Sequence, residues 1–368
     1  MNLTLYLKIF FGFFTSRTNL IIKEFKLNSS SNYVWGMKHS GLYLRKKKRK
    51  GSLVYLEDGF IHSFGNAKSK IPFSICFDNN GIYYHSNSQS DLFEYFNEDL
   101  SKENLKRSRK IIRLWRKYSI SKYNFENILE PPSGKYVLLI DQIFGDLSIY
   151  YGGASRKSFR EMFDFARKNW PDHKILIKVH PDALNSKKNG CLDKEYYERK
   201  NVLVIANLGQ INKLIEFSTA VCVVTSQVGF EALIYGKEVH VFGRPFYSGL
   251  GLTIDHRANK DLKKYINFSL EKLVYSVFIK YQIFLDPRTK KRCQIEEIIK
   301  YIYFLRENSK FFPKNLEAIN ITPWKARQIN RFFYPITGKR VKIFRRFKTK
   351  MQNIVVWGKN IKMEKYIS

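Results

Sequence analysis

Thr225-Ser226-Gln227-Val228-Gly229-Phe230-Glu231 follows the apolar run Ala220 to Val224 and sets hydroxyls, a glycine and a carboxylate within two helical turns. Such a set suits an anionic ligand. Ser226 can cap a helix, Gly229 lets a ligand come close, and Glu231 falls in the first turn, so a monophosphate or diphosphate fits at the amino end. An ordinary strand-cap-helix unit, with Glu231 only complementing the helix dipole, fits the same residues. Lys178-Val179-His180-Pro181-Asp182 closes a second apolar run, with Lys178 and His180 on one strand face. Proline fixes the exit direction there, and the two bases make a second anion site. The third segment, Asp141 to Ser148, offers the Asp146 carboxylate, a sharp turn at Gly145 and the Ser148 hydroxyl. Turn chemistry alone accounts for any one of these loops. Three on successive strands point to one crevice.

The runs Tyr136 to Ile140, Lys174 to Val179 and Ala220 to Val224 are continuous and apolar, as strands buried on both faces of a parallel sheet must be. Their carboxyl ends form the edge where open α/β sheets bind ligands. Helices are expected near Ser155 to Asn169, Gly209 to Phe217, Gly229 to Tyr235, Leu270 to Phe284 and Ile295 to Arg306. Upstream, Tyr33 to Trp35, Leu53 to Leu56, Ile75 to Phe77 and Ile82 to Tyr84 read as strands, followed by a helix from Ser101 to Tyr118. Pro131-Pro132-Ser133-Gly134 reads as a linker. The alternation predicts a doubly wound parallel sheet in each half: residues 1–132 as an acceptor-side Rossmann-like domain, 133–310 as the donor-binding one, and 311–368 as a basic tail.

Gln142 to Ser148, Lys178 to Asp182, Thr225 to Leu233 and Gly243 to Asp255, with Leu56-Glu57-Asp58-Gly59-Phe60 and Asp78 to Tyr84, resemble the capsule polysaccharide synthesis proteins that are retaining β-Kdo transferases. The match spans most of the chain in order. The resemblance implies a two-domain α/β fold of GT-B type with a cleft between Rossmann-like halves. It implies CMP-Kdo as donor and a growing Kdo linker on a phosphatidylglycerol-type glycolipid as acceptor. It also implies that Asp146 is the nucleophile forming a glycosyl-enzyme adduct and that His180-Pro181 meets the CMP phosphate. The donor site would comprise Gln142, Ser148, Lys178, His180, Pro181, Thr225, Ser226, Gly229, Glu231 and Arg244.

The residue types agree with that chemistry. Retention at an anomeric carbon usually takes two displacements, with one carboxylate as nucleophile and a second group as acid or base. Asp146 can serve as the first; Glu57 or Asp58, after the strand Leu53 to Leu56, can serve as the second. Lys178, His180 and Arg244 can stabilise the departing phosphate. No metal or other cofactor is needed, and no His/Cys spacing or carboxylate cluster suggests one. Family members commonly carry Arg where this chain has His62, which would make that acceptor-side charge pH-dependent.

At 368 residues, with 44% hydrophobic and 16% aromatic residues, the chain suffices for two cores. Cys76, Cys191, Cys222 and Cys293 lie far apart and read as reduced thiols of a cytoplasmic protein. The net charge of +33 raises nucleic acid as a partner, but no nucleic-acid module surrounds the basic runs Arg45 to Lys50 and Lys339 to Lys350. An anionic inner-membrane surface fits better, with the protein peripheral on its inner face. The resemblance adds other capsule synthesis and export proteins as partners.

The opening run Leu5 to Phe14 has the length of a signal-peptide core, yet the tail repeats it. An offset of 322 positions lays Trp357 on Trp35 and, without a gap, Phe332 on Phe10, Phe333 on Phe11, Thr337 on Thr15, Ile343 on Ile21 and Gly358 on Gly36. A recurring segment reads as a domain-entry element and not a targeting signal. The chain then resembles one module plus the entry of a second, as a split or truncated tandem protein would. A tail strand at Val355-Val356-Trp357 would lack its sheet. Two other functions fit the same residues: a same-fold transferase using another CMP-activated acid, and an inactive scaffold module.

Overall fold

The computed structural model describes residues 17–28, 31–38, 45, 53–65, 71–179, 189–257, 268–311, 315–319, 321–337, 340–344 and 353–355. Its strands are β1 (Asn32–Trp35), β2 (Leu53–Asp58), β3 (Ser63–Phe64), β4 (Ser74–Asp78), β5 (Tyr123–Asn124), β6 (Tyr136–Ile140), β7 (Lys174–Lys178) and β8 (Val202–Ile205). They continue as β9 (Ala220–Val223), β10 (Glu238–Val241), β11 (Ile254–Asp255), β12 (Gln282–Asp286), β13 (Lys291–Cys293), β14 (Glu317–Ile319), β15 (Lys342–Phe344) and β16 (Ile354–Val355).

Six of these form one sheet in the order β11-β10-β9-β6-β7-β8, with every pair parallel. The order reverses between β6 and β9, which makes their carboxyl ends a topological switch point. Both strands are buried along their whole length, as their apolar runs require. Helix Arg156–Asn169 covers one face through Phe159, Met162, Phe163 and Ala166, a stripe at helical spacing that packs on Val137, Leu139, Ile175 and Ile177. The other face meets Phe230, Ile234, Trp115 and Phe278 in a core continuous with Phe60 and Cys76 of the first half.

The first-half sheet runs β1-β2-β4-β12-β13 and is mixed: β1 and β2 are parallel, whereas the β2–β4, β4–β12 and β12–β13 pairs are antiparallel. A doubly wound parallel sheet in each half is therefore correct only for the second. A parallel return from β2 to β4 would need a helical crossover, and the described residues between them contain only β3 and loop. Two further expectations change. Ile82 to Tyr84 is a turn, because the Asp78 carboxylate accepts hydrogen bonds from the backbone N–H groups of Asn80 and Gly81, both at 2.9 Å. The helix expected over 270–284 is α-helical over Leu270–Val274, widens to a π-helix over Tyr275–Lys280, and gives way to β12. Gln282 fixes that change: its Oε1 accepts from the Phe60 N–H at 2.7 Å and the Ser74 hydroxyl at 2.9 Å.

The tail has its own small sheet, β15-β14-β16, all parallel, with helix Pro323–Thr337 and a core of Leu316, Ala318, Ile321, Ala326, Phe333 and Val341. The strand expected to lack its sheet is therefore paired, Ile354 and Val355 lying against Glu317 and Ala318. The recurrence survives in part. Ile354 and Asn32, which share one place under the offset, each begin a strand, whereas β15 falls on residues that are helical at the amino end.

Candidate functional site

Gln142 and Thr225 leave the carboxyl ends of the two switch-point strands and bond across the gap. Gln142 Nε2 donates to Thr225 Oγ1 at 3.1 Å, and the Thr225 N–H donates to Gln142 Oε1 at 3.1 Å. Ser148 Oγ joins them, 3.3 Å from Thr225 Oγ1. The Thr225 methyl is held between two glycines: an added Cβ would meet it at 2.6 Å from Gly152 and at 2.8 Å from Gly243. Arg244 follows directly. Its N–H donates to Gly152 O at 2.8 Å, its side chain crosses Gly153, and its Nε is buried with no hydrogen-bond partner among the described residues. A guanidinium with an unmet donor beside three polar side chains is suited to an anion.

Asp146 stands at the rim of this set. It is exposed and caps the short helix Leu147–Tyr151, accepting from the Ser148 N–H at 2.9 Å, while Gly145 takes the positive φ of 86° that the turn needs. Nearby Asp141 has a structural role. Buried, it accepts from the N–H groups of Cys191 and Leu192 and from the Tyr197 hydroxyl, so it ties β6 to the segment beyond β7. Lys178 donates to Val179 O at 2.9 Å, and burial lowers its pKa to about 8. His180 and Pro181 lie outside the described residues.

Two residues of the helix after β9 have tasks other than those expected. Gly229 makes room for protein: a Cβ there would meet the Tyr247 hydroxyl at 2.2 Å. Ser226 does serve the helix start, its Oγ accepting from the Val228 N–H at 3.2 Å. Glu231 is buried and faces the other half of the molecule, accepting from Ser121 Oγ at 2.7 Å, the Lys122 N–H at 3.1 Å and Gln227 Nε2 at 3.2 Å. Burial raises its pKa from 4.5 to about 7, against the pull of those three donors. A raised acid pKa favours the fold below pH 4.5, and that contribution is lost as pH rises through 7. The span corresponds to on the order of 3 kcal/mol. Urea unfolding at pH 5 and pH 8 should show wild type losing more stability between the two than Glu231→Gln. Parallel pH dependences would refute this.

Glu57 and Asp58 end β2 across the cleft, and their surroundings split them. Asp58 takes Arg17 through contacts of 2.8 and 3.1 Å and has His62 Nε2 at 3.5 Å. Burial opposes its ionisation, but His62, Arg17 and Lys122 prevail and hold it well below the usual carboxylate range. Glu57 accepts from Trp35 Nε1 at 2.9 Å and lies 3.4 Å from the Tyr84 hydroxyl. Burial, then the charge of Asp58, raises its pKa. His62 is thus buried under Asp58 and does not stand as an acceptor-side charge. Gly59 must be glycine, since a Cβ would meet the Ser74 hydroxyl at 2.1 Å and the Ser74 backbone at 2.7 Å. Phe60 then reaches the donor side, accepting from Gln227 Nε2 at 2.8 Å and packing on Phe246 with ring centroids 5.0 Å apart. A second strap is Ser86, which donates to Tyr151 O at 3.0 Å.

Lys122 and Tyr84 are additions that sequence reasoning does not supply. Both lie in turns whose only local signal is polar bracketing: Asp78 with Gly81 before Tyr84, and Ser121 with Asn124 around Lys122. Among the described residues no group of three or more His, Cys, Asp and Glu side chains could hold a metal ion. No described helix is long and apolar enough to cross a membrane.

The sequence model of the capsule polysaccharide biosynthesis protein family matches residues 102–284. The capsule polysaccharide modification protein LipA of Neisseria meningitidis serogroup A is 30% identical over 303 residues, 78% of this chain and 43% of LipA. The chain thus spans less than half the length of that curated relative. Among solved structures, the β-Kdo 2,4 transferase of Thermosulfurimonas dismutans KpsC is similar at 32% identity and a TM-score of 0.68, over 74% of this chain and 86% of that one. The KpsC β-Kdo 2,7 transferase is similar at 30% identity and a TM-score of 0.59, over 74% and 84%.

Proposed function

The chain belongs to the capsule polysaccharide biosynthesis protein family, and from that membership we propose that it is a retaining β-Kdo transferase using CMP-Kdo. The observation that carries the reading is the bonded set Gln142, Thr225 and Ser148 at the switch point, with exposed Asp146 on its rim. The two halves act as a GT-B pair, with donor on the six-stranded sheet and acceptor beside β2. CMP lies over the switch point, where Arg244, Lys178 and His180 meet its phosphate. An Asp146 oxygen forms a bond to the anomeric carbon as the bond from that carbon to the phosphate oxygen breaks, and CMP leaves with the electron pair. An acceptor hydroxyl then loses its proton to a base, attacks the same carbon and frees Asp146. Glu57 is that base, since Asp58 is committed to Arg17 and His62. The charge on the leaving phosphate is met by protein cations, so the scheme uses no metal.

A donor panel tests this. CMP-Kdo should be turned over with a Kdo-primed glycolipid, and CMP-sialic acid should not. The reverse preference would move the protein to the alternative, a same-fold transferase for another CMP-activated acid. Release of CMP from neither donor would leave the scaffold reading.

The acceptor lipid places the enzyme on an anionic leaflet in the cytoplasm. Helix Lys102–Lys117 supports this with Lys102, Lys106, Arg109, Arg113 and Arg116 along an open groove of about 640 Å³, with Glu271 the lone acid lining it. Each basic residue near an acidic leaflet adds on the order of 1 kcal/mol. Lys106→Glu with Arg113→Glu should therefore weaken binding to phosphatidylglycerol vesicles by roughly 10²-fold or more. Unchanged sedimentation with vesicles would remove this helix from the membrane contact.

A further inference from the structure

Lys122 is held by its backbone on both sides of the cleft. Its N–H donates to Glu231 of the donor side at 3.1 Å, and its carbonyl accepts from the His62 N–H of the acceptor side at 2.8 Å. The turn around it is closed by Asn124, whose side chain accepts from the Ser121 N–H at 3.0 Å and donates to Ser63 O at 3.2 Å. The side chain therefore starts from a fixed point between β3 and the switch-point helix. Its ammonium lies within electrostatic reach of Glu57, Asp58 and Asp146 together, yet forms no ion pair within 4.0 Å among the described residues. The acid pair does not need it for contact, because Asp58 already has Arg17 and His62, and Glu57 has Trp35 and Tyr84. A cation placed among three carboxylates, touching none, leaves space for an anion to enter between them.

Such an anion has a chemical reason to be there. Kdo and its relatives carry a carboxylate on the anomeric carbon itself, so a carboxylate nucleophile must approach a carbon that already bears a negative group. A positive charge between them is needed for close approach, and it must be placed before reaction. We propose that Lys122 binds the carboxylate of the acid-sugar donor, holding it between Asp146 and the Glu57–Asp58 pair. This rests on the transferase reading above and adds the subsite that selects an acidic sugar. The acceptor sugar carries the same group; the reach of Asp146 favours the donor.

The test uses the full chain and compares wild type with Lys122→Gln and Lys122→Arg. Both variants keep the backbone N–H and carbonyl that anchor the turn, so melting temperatures should match wild type. Lys122→Gln should lower kcat/KM for CMP-Kdo by about 10²- to 10³-fold. Affinity for CMP alone should stay within about twofold, because no part of CMP lies at this subsite, and Lys122→Arg should recover at least a tenth of the loss. Free Kdo should inhibit wild type better than its methyl ester, and Lys122→Gln should no longer distinguish the two. Wild type that fails to turn over CMP-Kdo would sink the transferase reading itself. Wild type that turns it over, beside a Lys122→Gln variant of equal kcat/KM or undiminished preference for the acid, would overturn the Lys122 assignment alone. A rise in KM for the acceptor with that for CMP-Kdo unchanged would overturn the assignment to the donor.

Discussion

Asp146→Asn is expected to reduce transfer by about 10³-fold or more while CMP binds as before, since the change removes only the nucleophilic oxygen. Asparagine keeps a side-chain oxygen to accept from the Ser148 N–H, so the cap on Leu147–Tyr151 persists and the loop keeps its shape. Intact mass after incubation with CMP-Kdo and no acceptor should show one added Kdo on wild type and none on the variant. Turnover that survives the change would exclude a covalent route through this residue. A variant that both fails to turn over and loses CMP affinity would instead show that Asp146 organises the donor site, because Gln142, Ser148 and Thr225 lie beside it.

The second large effect separates neighbouring acids. Glu57→Gln should lower kcat by roughly 10²- to 10⁴-fold, the usual size of a general-base contribution. Its raised pKa means that the working carboxylate forms only as pH climbs above the ordinary glutamate range, so the acid limb of the wild-type rate profile should sit high and vanish in Glu57→Gln. Asp58→Asn has the opposite profile. It deprives Arg17 and His62 of their charge, which costs on the order of 1–3 kcal/mol of stability, and leaves kcat within about tenfold. A depressed pKa stabilises above the unfolded value and is lost as pH falls, so the variant should also lose part of the wild-type sensitivity to acid unfolding. A larger kcat loss in Asp58→Asn than in Glu57→Gln would reverse the roles.

What could be read from the sequence was whatever local pattern controls. The parallel sheet announced itself because β6 and β9 are unbroken apolar runs, and the loops after them followed from strand direction. The first sheet was misread because its pairing is decided far along the chain. Gln282 bonds Phe60 across 222 residues, a partner that no window around either one reveals. Glu231 shows the same limit at the site. Its place in a first turn suggested a ligand, whereas its partners Ser121 and Lys122 stand about 110 residues away. Tyr84 illustrates local competition: Ile82-Tyr83-Tyr84 has strand propensity, but the Asp78 carboxylate gathers the preceding N–H groups into a turn. The tail misled through its resemblance to the amino end, since β14 and β15 supply a sheet that the repeated residues do not encode.

The return of β12 and β13 to the first sheet bears on how the chain is made. The strands of the six-stranded sheet are all in hand once Asp255 has been synthesised, whereas the first sheet waits for Cys293. During synthesis β4 therefore presents a bare edge, the kind of surface that recruits wrong partners, until β12 arrives to cover it. The amino-terminal half is begun first and finished last. Assembly of the donor side, with Glu231 and Gln227 ready to grip Ser121 and Phe60, supplies a template on which that half can wait.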